Sequence, residues 1–230
     1  ISIYPGLGGS ITEKTDRIDA ASALGIRRLF TSFHIPETDA SAFHKELDAV
    51  LSTARSHGFD VVADISPASA ALLGMDRFEP VKLANLGITT IRIDDGFDAE
   101  KIALYSQVIQ VQLNASTLTE DNLKTSKKRR STWKPSTAST TFIPPAYGTR
   151  QDVCYRADQA APRYGLSVGA FVASSKGRRG PLSEGLPTLE EHRRLSVSLA
   201  ARHLAALGLQ SVFIGDDRPS MEELHLISPR

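Results

Sequence analysis

Two hydrophobic rhythms alternate along the chain. Short β-branched and apolar runs at 1–4, 27–32, 60–65, 89–94, 108–114, 167–173 and 211–216 follow the two-residue period of a strand. Between them, at 12–24, 39–57, 79–86, 98–106, 188–207 and from 220 onward, apolar residues recur at helical spacing. Gly25, Gly58, Gly87, Gly165 and Gly208 close the helical stretches shortly before the next strand. That is the place where a left-handed residue is least strained as glycine. Strand and helix in strict alternation predict an α/β fold with a parallel sheet. The regular repeat favours a closed (β/α)8 TIM barrel, with an open doubly wound sheet as the alternative. A sixth strand is expected between 125 and 150, where the pattern breaks down and the sixth βα unit reads as abnormal.

In such a barrel one strand face packs on helices and the other fills the interior. Period two separates the faces. On the third strand Val61, Ala63 and Ile65 form the helix-facing set, which leaves Asp64 and Ser66 inside. On the fourth, Ile91 and Ile93 face out with Thr89, leaving Thr90, Arg92 and Asp94 inside. On the fifth, Ile109, Val111 and Leu113 face out, leaving Gln110, Gln112 and Asn114 inside. Asp64, Arg92, Asp94, Gln112 and Asn114 are therefore expected to converge at the C-terminal mouth, where barrel enzymes keep their active sites. Burying such groups without partners costs on the order of 1–3 kcal/mol each, and more for a charge. They are read either as an acid–base site for a polar ligand or as an ion-pair network that only fills the barrel.

Further candidates lie at other strand ends. Ser32 and His34 end the second strand; His34 reads equally as a sugar contact and as a structural histidine. Asp216 and Asp217 follow the last strand, where an acidic residue also serves as a helix N-cap. Lys176 to Gly180 form a basic loop containing Arg178 and Arg179, suited to a phosphate or simply to solvent. Glu184 lies on a Gly- and Pro-held loop, as an acid or base or as a charge at a helix start. No CxxC, HExxH or P-loop occurs, so no metal or nucleotide cofactor is expected.

Composition narrows the setting. The 230 residues suit one barrel, and 41% hydrophobic content supplies its core. With 27 Lys+Arg against 26 Asp+Glu, no nucleic-acid or membrane partner is expected. One cysteine, Cys154, leaves no internal disulfide and fits a reducing, cytoplasmic setting. No signal peptide is visible, and no apolar run approaches the roughly 20 residues of a spanning helix.

Several of these segments belong to one pattern. They are Ile-Ser-Ile-Tyr at the start, Leu-Phe-Thr-Ser-Phe-His-Ile-Pro at 29–36, Ala-Asp-Ile-Ser-Pro at 63–67 and Arg-Ile-Asp-Asp-Gly-Phe at 92–97. Leu-Asn-Ala-Ser-Thr-Leu-Thr at 113–119 and Arg-Gly-Pro-Leu-Ser-Glu-Gly-Leu-Pro-Thr-Leu-Glu-Glu-His-Arg at 179–193 complete it. Together they resemble the bacterial 6-phospho-N-acetylmuramidase family of barrel proteins, some labelled outer surface protein. The resemblance implies a barrel followed by a small cyclophilin-like β domain, which this chain, ending within the last barrel helix, is expected to lack. It also implies a hydrolase, a glycosidase of peptidoglycan recycling that cleaves 6-phospho-N-acetylmuramic acid from N-acetylglucosamine. Glycosidases usually employ two carboxyl groups, and Asp64, Asp94 and Glu184 are the pool for that pair. Arg92, with Arg178 or Arg179, is expected to hold the phosphate or lactyl carboxylate. Gln112 and Asn114 suit the acetamido groups; Ser32, His34, Asp95 and Asp216 complete the candidate substrate contacts. The alternatives are an inactive phosphosugar-binding barrel and another sugar-phosphate enzyme such as a lyase or aldolase.

Residues 125–162 depart from the family pattern, which expects a sixth strand ending in His-Asn-Phe-Tyr-Pro. After Ala138, written GCT, residues 139–144 can be coded TCC ACA ACT TTT ATC CCC. Read one base earlier, the same string gives Phe-His-Asn-Phe-Tyr-Pro. Residues 133–138 and 147–153 yield family-like readings under similar shifts, and the original frame returns by Tyr164. Compensating insertions or deletions are therefore expected here. A clean single frame on resequencing this part of the gene would remove that reading. The basic run Lys127 to Arg130 is accordingly not read as a nucleic-acid patch, and Cys154 receives no role.

Overall fold

The structure, a computed structural model, describes residues 1–6, 10–33, 40–93, 99–114, 140–142, 167–178 and 183–228. Eight parallel strands form a closed barrel in chain order. They are β1 (Ser2–Ile3), β2 (Arg28–Ser32), β3 (Asp60–Ile65), β4 (Thr90–Ile93), β5 (Gln110–Asn114), β6 (Thr140–Phe142), β7 (Ser167–Val172) and β8 (Ser211–Ile214). Closure comes where Ser2 of β1 pairs with Phe213 of β8. The sixth strand lies inside the interval anticipated for it and joins Leu113 and Asn114 on one side to Ser167 and Val168 on the other.

The described helices are α1 (Ile11–Ala23), α2 (Ala40–Ser56), α3 (Ser69–Leu72), α4 (Pro80–Asn85), α5 (Ala99–Tyr105), α6 (Val197–Ala206) and α7 (Met221–Ile227). Local chemistry sets several boundaries. Ser10 caps α1 by accepting from the Glu13 N–H, and Pro80 opens α4 at its first turn. Gly25, Gly58, Gly87 and Gly208 all take positive φ just past a helix, as anticipated; Gly165 lies outside the described residues. The helix anticipated over 188–207 is divided. Leu189 makes a bridge, Glu190–His192 forms one 3-10 turn, and α6 starts only after Ser196, whose side chain accepts from the Leu199 N–H. The four-residue helix α3 was not anticipated, being shorter than any helical period can reveal.

The core has two compartments. Outward strand residues, among them Leu29, Val61, Ala63, Ile65, Ile91, Ile93, Val111, Leu113, Val168 and Ala170, pack against the helices in one continuous cluster. A second, smaller cluster of Tyr4, Phe30, Val62, Phe171 and Phe213 fills the barrel itself. Its rings meet edge-on or tilted, with Phe30–Phe171 and Phe171–Phe213 centroids 5.5 Å apart and Tyr4–Phe30 at 6.0 Å. Outside the barrel, Lys14 of α1 and Glu46 of α2 form a buried ion pair. No described helix is long and apolar enough to cross a membrane.

Candidate active site at the barrel mouth

The polar ring sits one layer above the aromatic plug. Ser32 follows Phe30 by two residues on β2, Asp64 follows Val62 on β3, and Arg92 follows Thr90 on β4. Side chains two apart share a strand face, so this layer also points inward. The strand register lines it up: Ser32 pairs with Asp64, Asp64 with Arg92, and Arg92 with Gln112. Arg92 Nη1 donates to Asp64 Oδ1 at 2.6 Å, with side chains only 5% and 11% exposed. Ser32, Gln112 and Asn114 are buried beside this pair. Gln112 Oε1 has no hydrogen-bond partner among the described residues. Asn114, the last residue of β5, pairs in register with Phe142 of β6. The helix-facing isoleucines, valines, alanine and leucine of β3, β4 and β5 pack in the outer core as the sequence pattern expects, whereas Asp94, assigned inward, lies outside the described residues.

The β7–β8 side of the mouth is built differently. Its mouth-layer positions, two beyond Phe171 and Phe213, are the small residues Ala173 and Gly215. The loop 183–187 fills the room they leave. A Cβ on Gly215 would lie 2.8 Å from Leu186 Cβ, and one on Gly185 2.8 Å from Ala173 Cβ. Gly185 has φ +84°, so both its backbone and its packing require glycine. The same Cβ would lie 3.5 Å from Asp216 Oδ2 and 3.8 Å from Arg178 Nε. Glu184 is thus exposed on a loop seated on the ends of β7 and β8, next to Asp216 and the half-buried Arg178.

Arg193 anchors this loop. Its Nη1 donates to the Glu184 carbonyl at 3.1 Å and the Gly185 carbonyl at 2.9 Å. Its Nε and Nη2 form a two-pronged pair with Glu190, both contacts 2.6 Å. These hydrogen bonds lower the Glu190 carboxyl and raise the Arg193 guanidinium from their ordinary values. Farther along, Thr188 ties the loop to β7 through both its N–H and its hydroxyl.

The loop after β7, which carries Arg178, is held from the other side. Asp216 is fully buried and its Oδ2 accepts from the Ser174 N–H at 2.7 Å. The helix N-cap considered for this acidic pair is not its role. Ser220 caps α7, in a reciprocal capping box with Glu223. Glu223 also reaches across to accept from the Ser174 hydroxyl and from both the N–H and hydroxyl of Ser175. Burial pushes its carboxyl up, but the hydrogen bonds from Ser175, Ser220 and Ser174 outweigh that and hold it below the ordinary value of 4.5. The S-x-x-E pattern at 220–223 was the sequence signal for this residue; its contact with the β7 loop had none.

The structure therefore groups Ser32, Asp64, Arg92, Gln112 and Asn114 at the β2–β5 rim, and Arg178, Glu184 and Asp216 at the β7–β8 rim. His34, Asp94, Asp95 and Arg179 lie outside the described residues. Among the described residues, one cluster has metal-ligating geometry, Glu191 with His192 and His203, and none of the three belongs to either group.

The family model described as 6-phospho-N-acetylmuramidase, N-terminal, matches residues 1–229. The chain belongs to that family. Two solved structures are similar over nearly the whole barrel. One, a conserved protein of unknown function from Enterococcus faecalis, shares 28% identity at a TM-score of 0.81, over 97% of this chain and 63% of its own. The other, an uncharacterized B. cereus protein, shares 26% identity at a TM-score of 0.80, over 99% of this chain and 63% of its own. The family member described here thus spans less than two thirds of the length of these relatives. An N-acetylneuraminate lyase from Fusobacterium nucleatum, 10% identical with a TM-score of 0.55 over 93% of this chain and 68% of its own, shares the barrel fold alone. No protein of curated function matches the chain in sequence.

Proposed function

We propose that this barrel is the catalytic part of a glycosidase that cleaves a disaccharide of 6-phospho-N-acetylmuramic acid and N-acetylglucosamine in peptidoglycan recycling. The observation that carries the reading is the buried Asp64–Arg92 pair at the strand ends of a chain that matches this family along its length. A phosphorylated sugar substrate fits a cytoplasmic enzyme. The remaining length of the two relatives is taken up, on this reading, by the small β domain that the family resemblance implies.

Asp64 accepts from Arg92, so its part is that of an acceptor: nucleophile, base, or ligand of a sugar hydroxyl. The proton donor then falls to Glu184 or Asp94. Glu184, on its anchored loop, has the solvent access that a leaving group and incoming water need. Arg92 and Arg178 offer guanidinium forks for the phosphate and the lactyl carboxylate. Gln112, with a buried oxygen still to be satisfied, and Asn114 suit an acetamido N–H. A second reading, a barrel that binds the phosphosugar without cutting it, draws on the Thr-Thr-Phe of β6, where the family resemblance expects different residues.

The test is incubation of the purified protein with the phosphodisaccharide, with product release and binding measured in parallel. Release of both sugars, abolished in Asp64→Asn while fold is retained, supports the glycosidase. Binding without release selects the second reading, and absence of both sinks the assignment.

A further inference from the structure

A cluster outside the barrel mouth joins two elements that the sugar chemistry does not use. Glu191 and His192 lie on the 3-10 turn Glu190–His192, and His203 lies on α6. The Ser196 cap starts α6 so that it runs back beside the turn. His192 Nε2 then lies 2.8 Å from His203 Nδ1, and Glu191 Oε1 lies 4.0 Å from that same Nδ1. The three ligand atoms all fall within 4.8 Å of one another.

A tetrahedral zinc-type ion binds imidazole nitrogen and carboxylate oxygen at about 2.0–2.2 Å, which spaces neighbouring ligand atoms by about 3.3 Å. To reach that spacing the two histidines part by about half an ångström, and the carboxylate closes by about 0.7 Å on His203 and by up to about 1.5 Å on His192. Both shifts are within reach of these side chains, since Glu191 is exposed and His203 is only half-buried. His192 is the fixed point: it is fully buried, its Nδ1 has no hydrogen-bond partner among the described residues, and its Nε2 faces His203. Two imidazoles and one carboxylate suit zinc, nickel or copper(II) rather than magnesium or calcium, which prefer all-oxygen sites. We infer that Glu191, His192 and His203 form a binding site for one transition-metal cation, with a fourth position open to water. The ion would clamp the 3-10 turn to α6. Through Glu190 and Arg193, which flank Glu191 and His192 in sequence, it would also stiffen the support of the Glu184 loop.

The experiment is calorimetric titration of the chelator-treated full chain with zinc chloride alone. Substitution by cobalt(II) follows, and its visible absorption reports tetrahedral coordination. Expected are one ion per chain and a cobalt band of tetrahedral intensity. His203→Gln and Glu191→Gln change accessible side chains and are expected to leave the fold intact. His203→Gln should weaken zinc at least about 100-fold, more than the loss of an outer-shell group does elsewhere. The control is His57→Ala, at an exposed histidine paired with Asp19 far from the cluster in sequence, which should bind zinc as the parent does. Absence of one-to-one binding in the parent overturns the inference. So does unchanged affinity in His203→Gln, or loss of binding in His57→Ala instead. None of these readouts depends on sugar hydrolysis.

Discussion

Glu223→Gln removes one charge and leaves the size of the side chain almost unchanged. In the native fold the carboxylate accepts four hydrogen bonds: from Ser175 N–H at 2.7 Å, from the Ser174 and Ser175 hydroxyls at 2.8 Å, and from Ser220 N–H at 2.9 Å. An amide has one oxygen in place of two. Ser175 donates to Oε1, whereas Ser174 and Ser220 donate to Oε2. Whichever way the amide turns, one backbone N–H and one hydroxyl face an NH2 group. The hydroxyl can rotate away; the backbone N–H cannot. One part-buried N–H left unsatisfied costs up to about 1–3 kcal/mol, and the bonds that survive lose their charge assistance. The total expected loss is about 3 kcal/mol, or roughly 6 °C in Tm for a chain of this length. Denaturant and thermal unfolding at pH 7 measure it. The pH dependence gives a second reading. Because the folded carboxyl lies below its ordinary value of 4.5, the extra stability is fully present above that value and is lost as pH falls through the lowered one. The gap between parent and variant should therefore close in acid. A gap under about 0.5 kcal/mol at pH 7, the usual size for an inert surface change, would refute the reasoning. So would a gap that stays constant into acid.

Gly185→Ala forces a Cβ to within 2.8 Å of Ala173 Cβ at a φ of +84°, so a loss of about 1–3 kcal/mol and a raised KM are expected from unfolding curves and substrate kinetics. Arg193→Lys keeps the charge but not the fork to Glu190. It should lower kcat through a displaced Glu184 and speed limited proteolysis within 183–187, with little change at the Asp64 rim. Glu46→Ala breaks the buried ion pair with Lys14 from one side and should cost about 3–5 kcal/mol in denaturant unfolding. The double change Lys14→Met with Glu46→Leu should be neutral or stabilising by about 1–4 kcal/mol, because it removes both desolvation penalties at once.

Most of the barrel could be read from the chain because a buried parallel strand displays its two faces in alternation. Asp64, Arg92 and Gln112 stood out as the polar members of otherwise apolar runs, and the strand register brings them side by side. What escaped reading was tertiary. The residues Glu-Glu-His-Arg-Arg at 190–194 are good helix formers, yet they fold into a 3-10 turn because Arg193 and Thr188 are taken up by the loop and by β7. Asp216 looked like a cap because acidic residues after a strand often are; burial against Ser174 gives it another partner. Glu223 was hidden for a different reason. Its sequence neighbours announce a helix start, whereas three of its four bonds reach residues nearly fifty positions earlier.

The aromatic plug of Tyr4, Phe30, Phe171 and Phe213 fills the barrel beneath the Asp64–Arg92 layer, so that layer is approached from the strands' C-terminal side. On the proposed function, sugar, attacking water and both cleavage products would all come and go on the rim side of that plug. For the proposed glycosidase, the leaving sugar would then have to clear the rim before the next molecule settles, and traffic past the Glu184 loop would cap its turnover.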